Sequence, residues 1–391
     1  MTTANITTLD EPTFIWLNKM LSNKEIYAMV KPVYQNPSEA AKYVEMALNN
    51  EDQSHTTELA SMLEEPVQQL LKSKEASKRQ LALDAIGRLD IKAPRESITA
   101  LINNQAPDRT VELGLHALEN DAAANKASFL QVAQNKQFPF ALRTNALHTV
   151  AKIDAPAAQQ ALQKWIPVIT DEQKKNVVNE FSSSKEGAQV LKQLYGKKLL
   201  GAGSFTISSA ERVLNTDTTN ATGKTIVVNV KKQVADEQKM FDKTLMKYMV
   251  IAEKKDGNAQ KGKVIFQTTC LMCHKVGDKG QNIAPALDGS ASRENRALLT
   301  AILNPDAAVE SGYALYRVTK KDNSSIEGYL FHRDDKGTTL AFMGGSKIFI
   351  PVKNIRSEDF LQGRSFMPKG LLTSFTDAQA ADLLAYIKTL K

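Results

Sequence analysis

The chain has only two cysteines and five histidines among its 391 residues. Two cysteines build no disulfide framework, so the fold must rest on its core. No apolar run approaches the roughly 18 residues that a membrane span needs. Met1-Thr2-Thr3-Ala4-Asn5 has neither a basic stretch nor an apolar one, so no signal peptide is expected at this start. No Gly-rich dinucleotide fingerprint follows a strand-like run, and no propeller-length series of strands is present. An excess of one sign of charge is also small. The formal net charge is +7, with 20 Lys+Arg against 15 Asp+Glu in residues 251–391 and 30 against 28 in residues 1–250. That excess is too diffuse for nucleic acid, although a mild basic bias can steer an acidic redox partner.

Both cysteines lie in one pentapeptide, Cys270-Leu271-Met272-Cys273-His274. Thiols three residues apart can each add to a vinyl group of one haem, and the adjacent imidazole then reaches the iron. This spacing reads as a c-type haem attachment site. A thioredoxin-like redox pair would want a preceding strand and a βαβ context. A zinc site would want four ligands, and the other four histidines are scattered. The reading is therefore one covalent haem c, with Cys270 and Cys273 as tethers and His274 as iron ligand.

The expected fold is mainly α: helical repeats in residues 1–200, a linker in 201–252 and a haem domain in 253–391. Residues 1–60 look helical, broken by Pro12, Pro32 and Pro37, with an amphipathic segment at 39–48. Ala82-Leu83-Asp84-Ala85-Ile86 lines up with Ala146-Leu147-His148-Thr149-Val150. Gly114-Leu115-His116-Ala117-Leu118 falls halfway between them, and a degenerate copy lies near Val178. Each copy reads as a helix, a turn and a second helix, for instance at 94–102 and 156–165. Helix pairs repeating in this way stack into an α-solenoid, and the pattern resembles HEAT or armadillo-like repeats. His116 and His148 sit at equivalent or adjacent repeat positions and read as packing or surface residues rather than as a shared metal site. Trp165 reads as an inter-helix filler. In the linker, the β-branched run at 225–230 reads as a strand, and residues 236–252 as a helix.

In the haem domain, Gly262, Phe266 and Cys270 fall on one face of a helix that ends at the motif. Thr376 and Gln379 form a capping box, and Leu383, Tyr386, Ile387 and Leu390 line one face of a last helix. Gly262 and Tyr386 are the candidates for the crossing of the two helices. A β-rich insert is expected at about 313–356, with strands at 313–319, 325–332, 338–342 and 348–352. Its turns are Asp322-Asn323, Asp334-Asp335-Lys336-Gly337 and Gly344-Gly345.

The pentapeptide is followed by Ile283-Ala284-Pro285-Ala286-Leu287, residues 298–305 with Tyr313, the insert, and Ser365-Phe366-Met367-Pro368-Lys369-Gly370-Leu371. Together these resemble the haem-binding domain of the Pirellula/Verrucomicrobium type, over roughly residues 255–391. Ala284 stands where that family has glycine. The resemblance implies an all-α cytochrome c domain with a small β-sheet insert. It implies His274 as proximal ligand, the Pro285 carbonyl as acceptor for its other ring nitrogen, and Met367 as distal ligand. Met343, Met272 and His332 are the alternatives to Met367. A haem with His and Met ligands is coordinatively full, so electron transfer is expected, from a partner dehydrogenase to a downstream acceptor, and covalent haem attachment places it in the bacterial periplasm or on the outer surface. No catalytic residue is expected in this chain. A peroxidase-like haem enzyme and a protein-binding scaffold are the competing functions.

Overall fold

A computed structural model describes residues 8–50, 55–103, 105–322 and 324–391. The segment Met1-Thr2-Thr3-Ala4-Asn5 and the turn residue Asn323 lie outside the described residues. The chain divides into two units, Met1–Lys231 and Lys232–Lys391.

The first unit opens with α1 (Glu11–Asn18), α2 (Lys24–Tyr34), α3 (Ala40–Asn49) and α4 (Thr56–Leu71). Pro12 sits in the first turn of α1, where its missing N–H costs nothing. Pro32 lies inside α2 and does not end it. Then come α5 (Ala76–Leu89), α6 (Arg95–Thr99), α7 (Asp108–Glu119), α8 (Lys126–Gln134), α9 (Phe140–Ile153), α10 (Ala155–Trp165), α11 (Asp171–Phe181), α12 (Lys185–Gly196) and α13 (Ile207–Asn215).

Every second helix from α5 onward occupies the same register. Ala82, Gly114, Ala146, Val178 and Ala210 are equivalent in spacing, and all are buried. Hydrogen bonds link these helices in sequence. Gln80 donates to Thr110, Thr149 donates to Glu119, His148 pairs with Glu180, and Arg212 donates to Ser182. The pattern thus runs on through α13, past the boundary expected at residue 200. Residues 201–231 belong to the helical unit rather than to a separate linker. Trp165 packs on Phe140, with the Arg143 guanidinium 4.6 Å from its ring.

The strand expected at 225–230 is instead part of a long helix, α14 (Ala221–Lys254). The Asn220 side chain accepts the Gly223 N–H at 2.9 Å at its start, and Thr225 Oγ1 donates to the Ala221 carbonyl. Ile226 and Val230, one helical turn apart, are both buried in the first unit's core. β-propensity is a weak preference, and burial on a helical period outweighs it here.

The second unit has its helical core on Leu245 and Tyr248 of α14, α15 (Ala259–Thr269), α16 (Asn295–Leu303) and α17 (Asp377–Ile387). α15 and α17 pack directly on each other. Thr376 caps α17 with Gln379 in a reciprocal box. A two-stranded ribbon, β1 (Lys275–Val276) and β2 (Lys279–Gly280), follows the cysteine pair. A five-stranded antiparallel sheet comprises β3 (Ala314–Lys320), β4 (Ser325–Arg333), β5 (Gly337–Ala341), β6 (Lys347–Pro351) and β7 (Ile355–Ser365), in the order β6-β5-β4-β3-β7. Tyr316, Val318, Leu340 and Ile350 form its core.

The insert therefore runs past residue 356, because β7 adds a fifth strand that the apolar pattern does not announce. Its Glu358 is held by Arg333 at 2.8 Å and by the Thr338 hydroxyl, so polar pairing replaces an inward apolar residue.

Candidate functional site

α15 delivers the cysteine pair. After Thr269 the chain continues for one more helical turn, with Cys273 and His274 both donating N–H to the Cys270 carbonyl at 3.1 and 2.9 Å. Residues at i, i+3 and i+4 of such a turn share one face, so Cys270, Cys273 and His274 lie together. The chain then folds back through β1 and β2. Gln281 N–H reaches the Leu271 carbonyl and Ile283 N–H reaches the Cys273 carbonyl, each at 3.1 Å. Gly280, at φ 91°, passes so close to the His274 carbonyl that a Cβ would lie 2.1 Å from that oxygen. Only glycine fits there.

The loop brings Pro285 beneath the histidine. His274 Nδ1 is 2.6 Å from the Pro285 carbonyl oxygen. A carbonyl can only accept, so Nδ1 carries the hydrogen and Nε2 is left with its lone pair. That is the tautomer of a metal-ligating imidazole, oriented by the bond on its other nitrogen. Burial holds the His274 pKa below its usual value, against the opposing pull of the Pro285 carbonyl and the Glu310 charge. A neutral ring is thus favoured, as an iron ligand requires.

Both cysteines are free thiols and half-buried. Burial, and secondarily Cys273, push the Cys270 thiol up to about 12, and burial raises Cys273 as well. Neither is the acidic thiolate of a redox pair, and the preceding element is a helix rather than a strand. Among the described residues, no group of three or more His, Cys, Asp or Glu could hold a bare ion. The donor set fits a metal that arrives inside a macrocycle: two thiols for covalent tethering and one pre-oriented imidazole.

Met367 is half-buried in the segment between β7 and α17, and its N–H bonds to Ser365 Oγ at 3.1 Å. Asp306 ties this segment down, accepting from Ser365 N–H at 2.7 Å and from Lys369 at 2.9 Å. The same loop carries Glu310, whose charge acts on His274. The structure thus brings Cys270, Cys273, His274 and Pro285 together, and it anchors the segment of Met367 separately, through Asp306.

Of the alternative ligands, Met272 is 38% and Met343 51% exposed. His332 is exposed on β4, with Nε2 3.4 Å from Asp334. His148 is buried in a network with Glu180 and Ser184, and His116 is exposed beside Glu119. Asp306 and Gly344 are neighbours of the site that sequence reasoning passed over. Nothing local marks a long-range hydrogen-bond partner.

No curated protein matches the chain. The family model described as cytochrome c matches residues 259–327, from the start of α15 into β4. The match supports a c-type cytochrome domain in the stretch that carries the cysteine pair, His274 and Pro285.

Proposed function

We propose that the second unit is a c-type haem domain of the Pirellula/Verrucomicrobium type that relays electrons through one covalent haem c. The observation that carries this reading is the His274 Nδ1–Pro285 contact inside the Cys-X-X-Cys-His turn, which readies Nε2 for iron. When bound, the haem supplies a one-electron ferric/ferrous couple. Cys270 and Cys273 would tether it, and His274 would ligate its iron. Met367 would supply a thioether, a ligand that favours the ferrous state and raises the potential. With His274 and Met367 both serving as ligands, the iron would have no place for substrate, and the domain is read as one that transfers electrons and does not catalyse.

We further infer a place and a partner. Covalent haem attachment occurs outside the bacterial cytoplasm, which points to the periplasm or outer surface. The donor is a dehydrogenase and the acceptor a respiratory protein. The helical unit, with hydrogen bonds linking alternate helices in one register, is read as a HEAT-like array that docks the donor.

The test is a haem-stained denaturing gel of the exported protein, followed by oxidised and reduced spectra. The expected result is covalent haem and the weak long-wavelength sulfur-to-iron band of a methionine-ligated ferric haem. Met367→Ala should abolish that band. High-spin features in the native protein would instead favour a peroxidase-like site, and a band surviving in the variant would place the ligand elsewhere.

A further inference from the structure

We propose that the turn Gly344-Gly345 of the β-sheet is a latch that positions the haem-attachment loop. Its purpose rests on the haem reading above, but its geometry does not. Three of the four carbonyls in Cys270-Leu271-Met272-Cys273 are served from within the loop. Cys270 accepts from Cys273 and His274, Leu271 from Gln281, and Cys273 from Ile283. The fourth, that of Met272, accepts the N–H of Gly344 at 3.1 Å. Gly344 lies in the β5–β6 connection, far along the chain and outside the segment that matches cytochrome c.

The turn is built for this reach. Phe342 N–H bonds to the Ser346 carbonyl at 2.9 Å, and Gly345 N–H to the Phe342 carbonyl at 3.0 Å. Gly344 and Gly345 have φ of 80° and 84°, the left-handed region that side-chain-bearing residues rarely adopt. A Cβ on Gly344 would lie 3.8 Å from Met272 Cε, and one on Gly345 would lie 2.7 Å from Gln281 Oε1. Gly345 therefore packs on the residue whose own N–H braces Leu271. The turn grips the loop at two points: between the tethering cysteines, and at their brace. It constrains the peptide that sets the spacing of the thiols and the orientation of His274.

The test uses the full chain and two variants at one position. Gly344→Val puts a β-branched residue at positive φ and should spring the turn. Gly344→Asn tolerates that φ, and its Cβ meets only an ordinary contact. Gln281 and Ile283 amides should exchange roughly five- to tenfold faster in Gly344→Val, the scale on which one net backbone hydrogen bond shifts a local opening. The midpoint potential of the haem-loaded protein should move in the same variant. Gly344→Asn should restore both to native values.

If Gly344→Val frees the Gly345 amide but leaves Gln281 and Ile283 as protected as before, the latch is refuted. It is equally refuted if exchange accelerates while the potential stays put. If the native chain takes up no haem, the proposed function fails, whereas the exchange comparison still decides the latch in the haem-free chain.

Discussion

At the scale of single residues, Gly262 shows how one missing atom sets the haem domain's frame. A Cβ there would fall 1.8 Å from the Asp382 carbonyl oxygen and 2.4 Å from its carbon. The backbones of α15 and α17 touch at that point. The sequence pairs Gly262 with Tyr386 across this crossing. In the structure Gly262 meets the Asp382 backbone, and Tyr386 packs edge-on against Phe266 at 5.1 Å, one turn further along α15. The ring stands beside the small residue's turn because the helices are too close for it to stand on top. Gly262→Val must push α17 away. Overpacking of this kind costs about 3 kcal/mol, with no flexible side chain to give way. A urea titration that follows the second unit should show this loss, and an unchanged midpoint would mean that the helices do not cross at Gly262.

At the scale of elements, polar rungs link alternate helices of the helical unit, and the rung between His148 and Glu180 carries a carboxylate whose titration can be followed. His148 on α9 is buried. Its Nδ1 lies 3.0 Å from Glu180 of α11, its Nε2 lies 2.8 Å from Ser184, the cap of α12, and its ring packs on Phe181. The His148 hydrogen bond holds the Glu180 carboxyl below its ordinary 4.5, against the opposing effect of burial. A carboxylate depressed in the folded state adds stability above pH 4.5 and loses it as pH falls through the folded value. Glu180 is 36% exposed, so the contribution is no more than about 1 kcal/mol after screening. Glu180→Gln should be less stable than the native chain at pH 7, and the gap should close as pH falls below the ordinary 4.5 and through the lower folded value. Urea midpoints across that range check this, and a gap independent of pH would remove the carboxylate from the account.

The same scale shows what the sequence makes legible. Positions 82, 114, 146 and 178 stand out because each must bury a small or apolar residue in the helical core. Position 210 escapes notice because it falls in the stretch expected to be a linker. Residues 225–230 mislead because their β-branching speaks for strand, while the burial of Ile226 and Val230 speaks for helix. β7 escapes because its Glu358 is satisfied by partners on β4 and β5, which no local pattern records. The haem motif is legible because its chemistry is contiguous in the chain. Its brace from Pro285 follows from resemblance, and the hold from Gly344 follows from neither.

At the scale of the molecule, the distribution of charge bears on how electrons arrive. Most of the +7 excess belongs to residues 251–391, which hold 20 basic against 15 acidic side chains. Two haem propionates would offset part of it and leave a modestly positive domain. Among the described residues no helix is long and apolar enough to cross a membrane. The rate of encounter with a redox partner should carry the sign of that charge. Small reagents isolate the effect without knowledge of the partner. Oxidation of the ferrous protein by an anionic complex such as ferricyanide should slow as salt is added. Oxidation by a cationic cobalt complex should speed up. Both changes should level off as the screening length falls from about 30 Å at 0.01 M to about 3 Å at 1 M. Only opposite slopes of this kind would follow from a positive field at the point where electrons enter or leave. If both reagents slow with salt, or neither responds, the basic excess lies away from that point and the steering argument fails, even with haem firmly attached.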